Sequence, residues 1–319
     1  MRGGREVTMR LGNDDYLEPR TLAPHALEST IPQVSCADPS PEAACFFWHE
    51  MALFIGPALR SAPHGHFCVE LTLALDGELE VNPEGGGGAT GLGGVLIGSN
   101  VPHHHRMHGS RAAQLIVGPL TTPGMALRAS LGTRPIGFIR PANVEPFRAA
   151  LHRLIGCDDI AAALRVARSL VRHFSALGPV APADGRVLQA MHRLLRDFTL
   201  NTPVREFAEE AGLSESRLSH LFRTHVGVPL RTYRRWLRLR AGVLFGLSGW
   251  DLAAAANEAG FSDQADFSRA CREAFGVAPS VIVQAPTSLW VGETPAGRGL
   301  MPDLTAGSIK SVTRKGKRP

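Results

Sequence analysis

The feature that most limits what this chain can fold into is a repeat near its C-terminal side. Glu210-Ala211-Gly212-Leu213-Ser214 recurs 48 residues later as Glu258-Ala259-Gly260-Phe261-Ser262. Each copy follows an apolar, Ala-rich run of helical length. Each precedes a second run with apolar residues at helical spacing, and closes on Gly227-Val228-Pro229 or Gly276-Val277-Ala278-Pro279. A Gly just past a helix end adopts the left-handed conformation without a side-chain penalty. The Leu or Phe after it can plug the corner between two helices, and the following Ser can cap the next one. The spacing therefore predicts two helix-turn-helix units within residues 204–281.

The second helix of each unit separates into two faces. In the first copy Leu218, Leu221 and Phe222 point inward, and Ser216, Ser219, His220 and Arg223 share the opposite face. In the second copy Phe267, Cys271, Ala274 and Phe275 are the inward set. Gln264, Ala265, Asp266, Ser268, Arg269 and Arg272 remain to face out. The inward positions begin one residue later there, so the second turn is one residue longer. Residues 187–198 and 230–247 read as further helices, the latter connecting the two units with an apolar stripe of Leu230, Tyr233, Leu237, Ala241 and Leu244. Thr202 is expected as an N-cap with Pro203 in the first helical position. Arg231, Arg234, Arg235 and Arg238 fall mostly opposite the stripe. They form a solvated face, touch phosphate, or tie the two halves together.

Charge placement says more than the net value of +5. Residues 1–185 hold 15 Arg against 17 acidic residues, residues 186–285 hold 13 Arg against 10, and residues 286–319 hold 6 basic against 2. The positive excess sits in and after the tandem units, as expected of a phosphate-binding end. The bland alternative is two surface hairpins of an all-α domain. Duplication on one linking helix, with Arg flanking both copies, favours a nucleic-acid reader.

Residues 186–283 resemble the DNA-binding domain of the AraC/XylS family of bacterial transcription regulators. The resemblance is carried by Phe207-Ala208, Gly212-Leu213-Ser214, Leu218 to Phe222, Gly227, Pro229-Leu230, Tyr233 and Arg238-Leu239. It continues through Gly260-Phe261-Ser262-Asp263-Gln264, Phe267-Ser268-Arg269, Gly276 and Pro279. Cys271-Arg272 and Ser280-Val281 depart from the family pattern. The resemblance implies base-reading positions at Ser216, Ser219, His220, Arg223, Gln264, Ala265, Asp266 and Arg269. It also implies a homodimer, a small-molecule effector, and activation through contact with RNA polymerase. By chemistry, Arg223 and Arg269 suit guanine or phosphate, Gln264 suits adenine, and Asp266 suits cytosine.

Ahead of the repeat, residues 51–55, 68–75, 78–81, 94–97 and 114–117 read as short strands set off by Gly, Pro and Asn. Asp76-Gly77 reads as a hairpin turn between the second and third. Many short strands at close spacing predict a small β-barrel or sandwich. His64-Gly65-His66 and Glu70 can share one strand face. His103-His104-His105 and His108 follow Pro102. This His-x-His, Glu and later His pattern resembles the cupin metal motif. It implies His64, His66, Glu70 and His103 as ligands for Fe, Mn, Zn or Ni. Related sensory domains hold a small molecule without metal, and the later histidines also fit a solvated loop.

The remaining segments are connective. Residues 1–43 are interrupted by five Pro and read as a disordered lead. Residues 142–178 read as a helical pair, opening its second helix at Asp158-Asp159, that either dimerises or packs on the barrel. Residues 179–185 are the linker, and residues 286–319 a disordered basic tail. No apolar run reaches membrane-span length, no signal-peptide pattern opens the chain, and the five Cys lack finger or redox spacing. A cytoplasmic protein with reduced thiols follows.

The sequence thus predicts an α+β multidomain chain. Residues 44–141 form a cupin-like effector-binding β-barrel, and residues 186–285 an all-α domain with two helix-turn-helix units on a long helix. The expected function is a sequence-specific DNA-binding transcriptional regulator controlled by a small molecule or metal, with no membrane and no catalytic role. The alternative is a metal-dependent cupin enzyme with an attached DNA-binding domain. An alkyl-transfer repair reading needs an activated thiol, which the acidic surroundings of Cys157 disfavour.

Overall fold

The computed structural model describes residues 11, 15–19, 43–48, 51–57, 62–83, 88–109, 111–157, 159–175, 183–284 and 287–291. Its strands are β1 (Ala43–Phe47), β2 (Met51–Pro57), β3 (Val69–Ala74), β4 (Leu79–Pro83), β5 (Ala89–Leu92), β6 (Gly94–Ile97), β7 (His103–Met107), β8 (Arg111–Val117), β9 (Ile136–Ile139) and β10 (Thr287–Val291). Seven pair in the order β10-β1-β2-β8-β3-β6-β9, and three in the order β5-β4-β7.

Two facing sheets result, and among the described residues they do not close into the expected barrel. The outer strands of the large sheet take other partners. β10 returns from beyond the helical domain to pair parallel with β1, and Tyr16 bridges Phe138 of β9. A covered edge satisfies the same unpaired backbone groups that barrel closure would. Two expectations of disorder fall with this. Leu17 is buried and its N–H donates to Phe138 O at 2.8 Å. Residues 287–291 form an ordered strand, with Leu289 buried. Residues 292–319 and most of 1–42 lie outside the described residues.

The Asp76-Gly77 turn forms, with Gly77 at φ +73°, but not as a hairpin. β3 pairs with β6 and β8, whereas β4 pairs with β5 and β7 in the other sheet. The turn is a corner between layers. A Cβ at Gly77 would lie 2.7 Å from His108 O, so the close approach of the two layers requires glycine there.

Alternation along the strands distributes three interiors. Val69, Leu71 and Leu73 of β3 face helices α1 (Thr122–Leu131), α2 (Pro141–Arg153) and α3 (Ile160–Phe174), against Leu127, Phe147, Val166 and Leu170. Glu70 and Thr72 point to the other side. There, Val95, Ile97, Ile136 and Phe138 of the large sheet meet Leu79, Val81, Ala89 and Leu92 of the small one. α3 begins where expected, with Asp159 accepting from Ala162 N at 2.8 Å. Its buried face is Ala163, Val166, Ala167, Leu170 and Phe174, leaving Ile160 and Leu164 at the margin. These stripes are spent inside the chain, which favours packing over dimerisation for this helical pair.

The C-terminal part is helical: α4 (Gly185–Asp197), α5 (Val204–Glu210), α6 (Glu215–Val226), α7 (Leu230–Leu247), α8 (Leu252–Glu258), α9 (Gln264–Phe275) and α10 (Pro279–Gln284). The repeat is explained by its C-caps. Gly212 N–H donates to Glu209 O and Leu213 N–H to Ala208 O, at 3.1 and 2.9 Å. Gly260 N–H to Asn257 O and Phe261 N–H to Ala256 O reproduce this, both at 3.0 Å. Both are Schellman caps whose glycine sits at positive φ, +63° and +85°. The second turn is longer by one residue, as expected, and its N-cap is correspondingly different. Ser214 caps α6, accepting from Arg217 N, whereas Asp263 rather than Ser262 caps α9, accepting from Asp266 N at 2.7 Å. Helix α5 starts at Val204 with Pro203 in the cap position, so Thr202 lies just outside it.

The two parts share a core. Cys45, Phe47 and Cys68 of the sheet pack in one apolar cluster with Trp236, Leu237 and Val243 of α7. Cys45, Cys68, Cys157 and Cys271 are buried free thiols, and Cys36 lies outside the described residues. The burial of Cys157 removes the repair reading. No helix among the described residues is long and apolar enough to cross a membrane.

Candidate nucleic-acid interface and buried histidine cluster

Helix α7 carries the two second helices, α6 and α9, one at each end. At 18 residues it is about 27 Å long at the usual helical rise. Phe222 of α6 meets Tyr233, and Phe267 of α9 lies over Gly242. With those residues buried, Ser216, Ser219, His220 and Arg223 of α6 and Gln264, Ala265 and Arg269 of α9 are exposed.

Asp266 differs from the other expected readers. Its side chain is 19% exposed and lies 3.0 Å from Arg235 Nη2 and 3.8 Å from Arg269 Nη2. Ser262 Oγ also donates to it at 3.3 Å. It is held by the protein, and Arg235 is held with it. The rest of the Arg run is likewise occupied. Arg234 donates to Thr202 O, and Arg238 to Phe198 O, Thr199 O, Leu200 O and Asn201 Oδ1. Arg238 thereby clamps the end of α4 to α7, which is the tying role among the sequence alternatives. Arg231 alone of the four is exposed.

The expected ligand set also converges. His64, His66, Glu70 and His103 are all buried, and one donor atom from each lies within 4.8 Å of the others. Glu70 comes from β3, His64 and His66 from the segment leading into it, and His103 from β7 in the facing sheet. A backbone bridge between His64 and His103, at 2.9 and 2.8 Å, joins the two layers here. His105 shares the inward face of β7, two residues on, and its Nε2 lies 3.9 Å from Glu70 Oε1. The period of two was available in the sequence to single it out. His104 is half-buried, and His108 is on the surface beside Glu80. The solvated-loop reading therefore fits His108 and not His103.

The surroundings fit a cation. His64 Nδ1 donates to Ala62 O at 2.9 Å and His103 Nδ1 to Val101 O at 2.8 Å. Each bond places the proton on Nδ1 and leaves the Nε2 lone pair facing the cluster, the usual support of a metal-bound imidazole. His103 Nε2 is buried without a hydrogen-bond partner among the described atoms, 3.7 Å from Glu70 Oε2. Glu70 is gripped by Thr72 Oγ1, by Gln114 Nε2 at 3.0 Å and by His66 Nε2. Burial alone would raise its carboxyl, but the charge of His66 and the hydrogen bonds of His103 and His66 hold it well below the usual range. Burial, aided by the charge of His103, pushes His64 down to about 4, and burial pushes His105 to about 4. Neutral imidazoles around one carboxylate form a donor set suited to a divalent transition metal.

The cluster opens into a cavity of about 230 Å³ between sheet and helical domain. Phe54, His66, Glu70 and Ile116 line one side, and Trp236 and Arg240 of α7 the other. Arg240 is buried and donates to Trp48 O. The Trp236 and His66 rings are 6.5 Å apart. Sequence reasoning missed Trp236 and Arg240 as cavity residues, since both sit within a stretch that reads only as a connecting helix.

Residues 207–285 match the family model of a helix-turn-helix domain. The arabinose operon regulatory protein of Escherichia coli (strain K12) is 33% identical over 101 residues, 31% of this chain and 35% of that protein. By its C-terminal domain, the chain belongs to the AraC/XylS family. The Salmonella typhimurium arabinose operon regulatory protein is 32% identical over 102 residues, 31% of this chain and 36% of its own length. The chain thus spans about a third of the curated relatives it matches. In fold, apo ToxT from Vibrio cholerae is similar over 74% of this family member and 97% of its own chain, at a TM-score of 0.53 and 12% identity. That likeness covers both the sheet-rich and the helical parts.

Proposed function

We propose that the chain is a sequence-specific DNA-binding transcriptional regulator, with α6 and α9 reading successive major grooves of one duplex. The observation that carries this is the pair of helix-turn-helix units on α7, with seven of the eight expected reading residues exposed while the opposite faces are buried. Successive major grooves on one face lie about 34 Å apart, a span comparable to α7 plus the widths of its two passengers. Residues 186–285 are the DNA-reading unit and residues 44–141 the sensory unit. The family relationship adds that it acts as an activator, through RNA polymerase.

The effector site is the cavity at the histidine cluster. His64, His66, Glu70 and His103 hold a divalent metal, or the apolar cavity beside them takes a small molecule. The support is the convergence of the four ligands and the Nδ1 bonds that orient two of them. A bound metal supplies a Lewis-acidic anchor for an effector's polar end. Because α7 forms one wall, an occupant touches the helix that carries both readers.

The test is site selection from a random DNA library by the full chain, with and without added Zn²⁺ or Co²⁺. The expected product is an asymmetric site spanning two major grooves. Arg269→Ala should relax preference at one position of that site, at a cost of about 1–3 kcal/mol for the lost base contact. Arg235→Ala should instead weaken the whole second half-site, because Arg235 holds Asp266 of α9 rather than facing solvent. Enrichment of no site under any condition would remove the DNA-reading assignment.

A further inference from the structure

Both reading helices end against the sheet domain. The last carbonyls of a helix have no partner within it and carry the negative end of the macrodipole. At the end of α6, Arg128 of α1 donates from Nη1 to His225 O at 2.9 Å. At the end of α9, Gly65 N–H donates to Glu273 O and Ala62 N–H to Gly276 O, both at 3.2 Å. These three donors lie 97 or more residues from their acceptors in sequence and belong to the other domain. The grips leave the reading faces exposed. They are also distinct from the packing of α6 and α9 on α7. The second grip is made by the same short segment that presents His64 and His66 to the cluster.

We infer that the sheet domain sets the mutual placement of the two reading helices, with Arg128 and the N–H groups of Ala62 and Gly65 as positioning groups for DNA recognition. This rests on the reading of α6 and α9 as the DNA readers. A single helix linking two readers leaves each free to rock about its own packing contact. Tying both far ends to one rigid sheet removes that freedom before DNA arrives, so less ordering is required on binding. Segment 62–66 also connects the state of the cluster to α9, since His64 lies between the two N–H groups that hold the helix.

The experiment uses the full chain and a site selected by the wild type. Affinity is measured on that site, on versions with one base pair added or removed between the half-sites, and on versions with one half-site scrambled. Arg128→Ala and Ala62→Pro each remove one grip without touching the reading faces or the cluster residues. Each should bind the selected site about fivefold more weakly, while binding to a single half-site stays within about twofold of wild type. The penalty for altered spacing should shrink, from about tenfold in the wild type to about threefold or less. Arg128→Lys, which keeps a cation at the end of α6, should recover part of the loss. Far-ultraviolet circular dichroism and melting confirm that each variant is folded.

A merely structural role would lower full-site and half-site affinities together and leave the spacing penalty unchanged, and that result overturns the inference. Tighter binding by the variants overturns it too, because the grips would then hold the readers away from DNA. If the wild type selects no site, the DNA-reading assignment itself falls and the inference with it. If the wild type selects one and the variants match it, only the inference falls.

Discussion

Phe267→Ala is expected to cost about 3–5 kcal/mol of stability, a large share of what a domain of this size has. Phe267 is fully buried on the inner face of α9, with the Phe261 ring 5.3 Å away. On the α7 side it rests on Gly242, where a Cβ would come within 2.7 Å of its ring. Removing the ring leaves space that Gly242 has no side chain to fill, so the site cannot collapse, and a persistent cavity is what makes such losses large. The effect should be local in its consequence. α6 keeps its own packing through Leu218, Phe222 and Val226. Urea melts should show the destabilisation, and nuclease protection should fade over the second half-site before the first. Equal loss over both would mean that the two units unfold as one.

Glu70→Ala should be comparably damaging in the sheet domain, at about 3–5 kcal/mol, because it strands buried polar partners. Thr72, Gln114 and His66 all point at this carboxylate from a buried site. Truncation leaves their donors without an acceptor and water has no ready access. Glu70→Gln preserves the shape and should cost less, but it removes the anionic ligand. Titration with Co²⁺, followed by its visible absorption, should show binding to the wild type and binding about 10–100-fold weaker or worse in Glu70→Gln. Metal should raise the melting temperature of the wild type in proportion to its occupancy and leave Glu70→Ala unmoved. Absence of any Co²⁺ signal in the wild type removes the metal from the proposal. The stability loss in Glu70→Ala is expected either way, since it comes from hydrogen bonding within the protein.

How far the chain was legible follows from the range of its interactions. Helix-turn-helix chemistry is local. A Schellman glycine, the plugging Leu213 or Phe261, and a capping side chain three residues before its N–H act within one or two turns, so they leave a pattern in consecutive residues. The longer second turn was readable for that reason. The identity of its cap was not, because Ser262 and Asp263 both qualify and the choice depends on where α9 begins. The ligand set was readable because the period of two along a strand places His64, His66 and Glu70 on one side. His105 obeyed the same rule, but its neighbours obscured it.

The Arg residues of α7 mark the other boundary. Their helical spacing is visible, but whether they meet solvent, phosphate or carbonyl depends on what packs alongside. Asp266 and the 198–201 carbonyls are brought there by the tertiary fold. The open pair of sheets was equally hidden. Strand count and spacing are similar for a barrel and a sandwich, and the distinction lies in which edges pair. Here it turns on β10, 240 or more residues from β1 in sequence and ahead of a tail whose composition suggests disorder.

By itself the sequence determined the two helix-turn-helix units, the helix between them, the faces each second helix presents, and the four residues able to meet at the histidine cluster. Each of these depends on residues close together or on a strict period. Only the tertiary structure decided that the sheets stay open, that α7 walls the cavity, that Asp266 is bound from within, and that the sheet domain grips the ends of both reading helices. Those are contacts between distant segments, formed largely by backbone groups that every residue carries, and such groups leave no mark on the sequence.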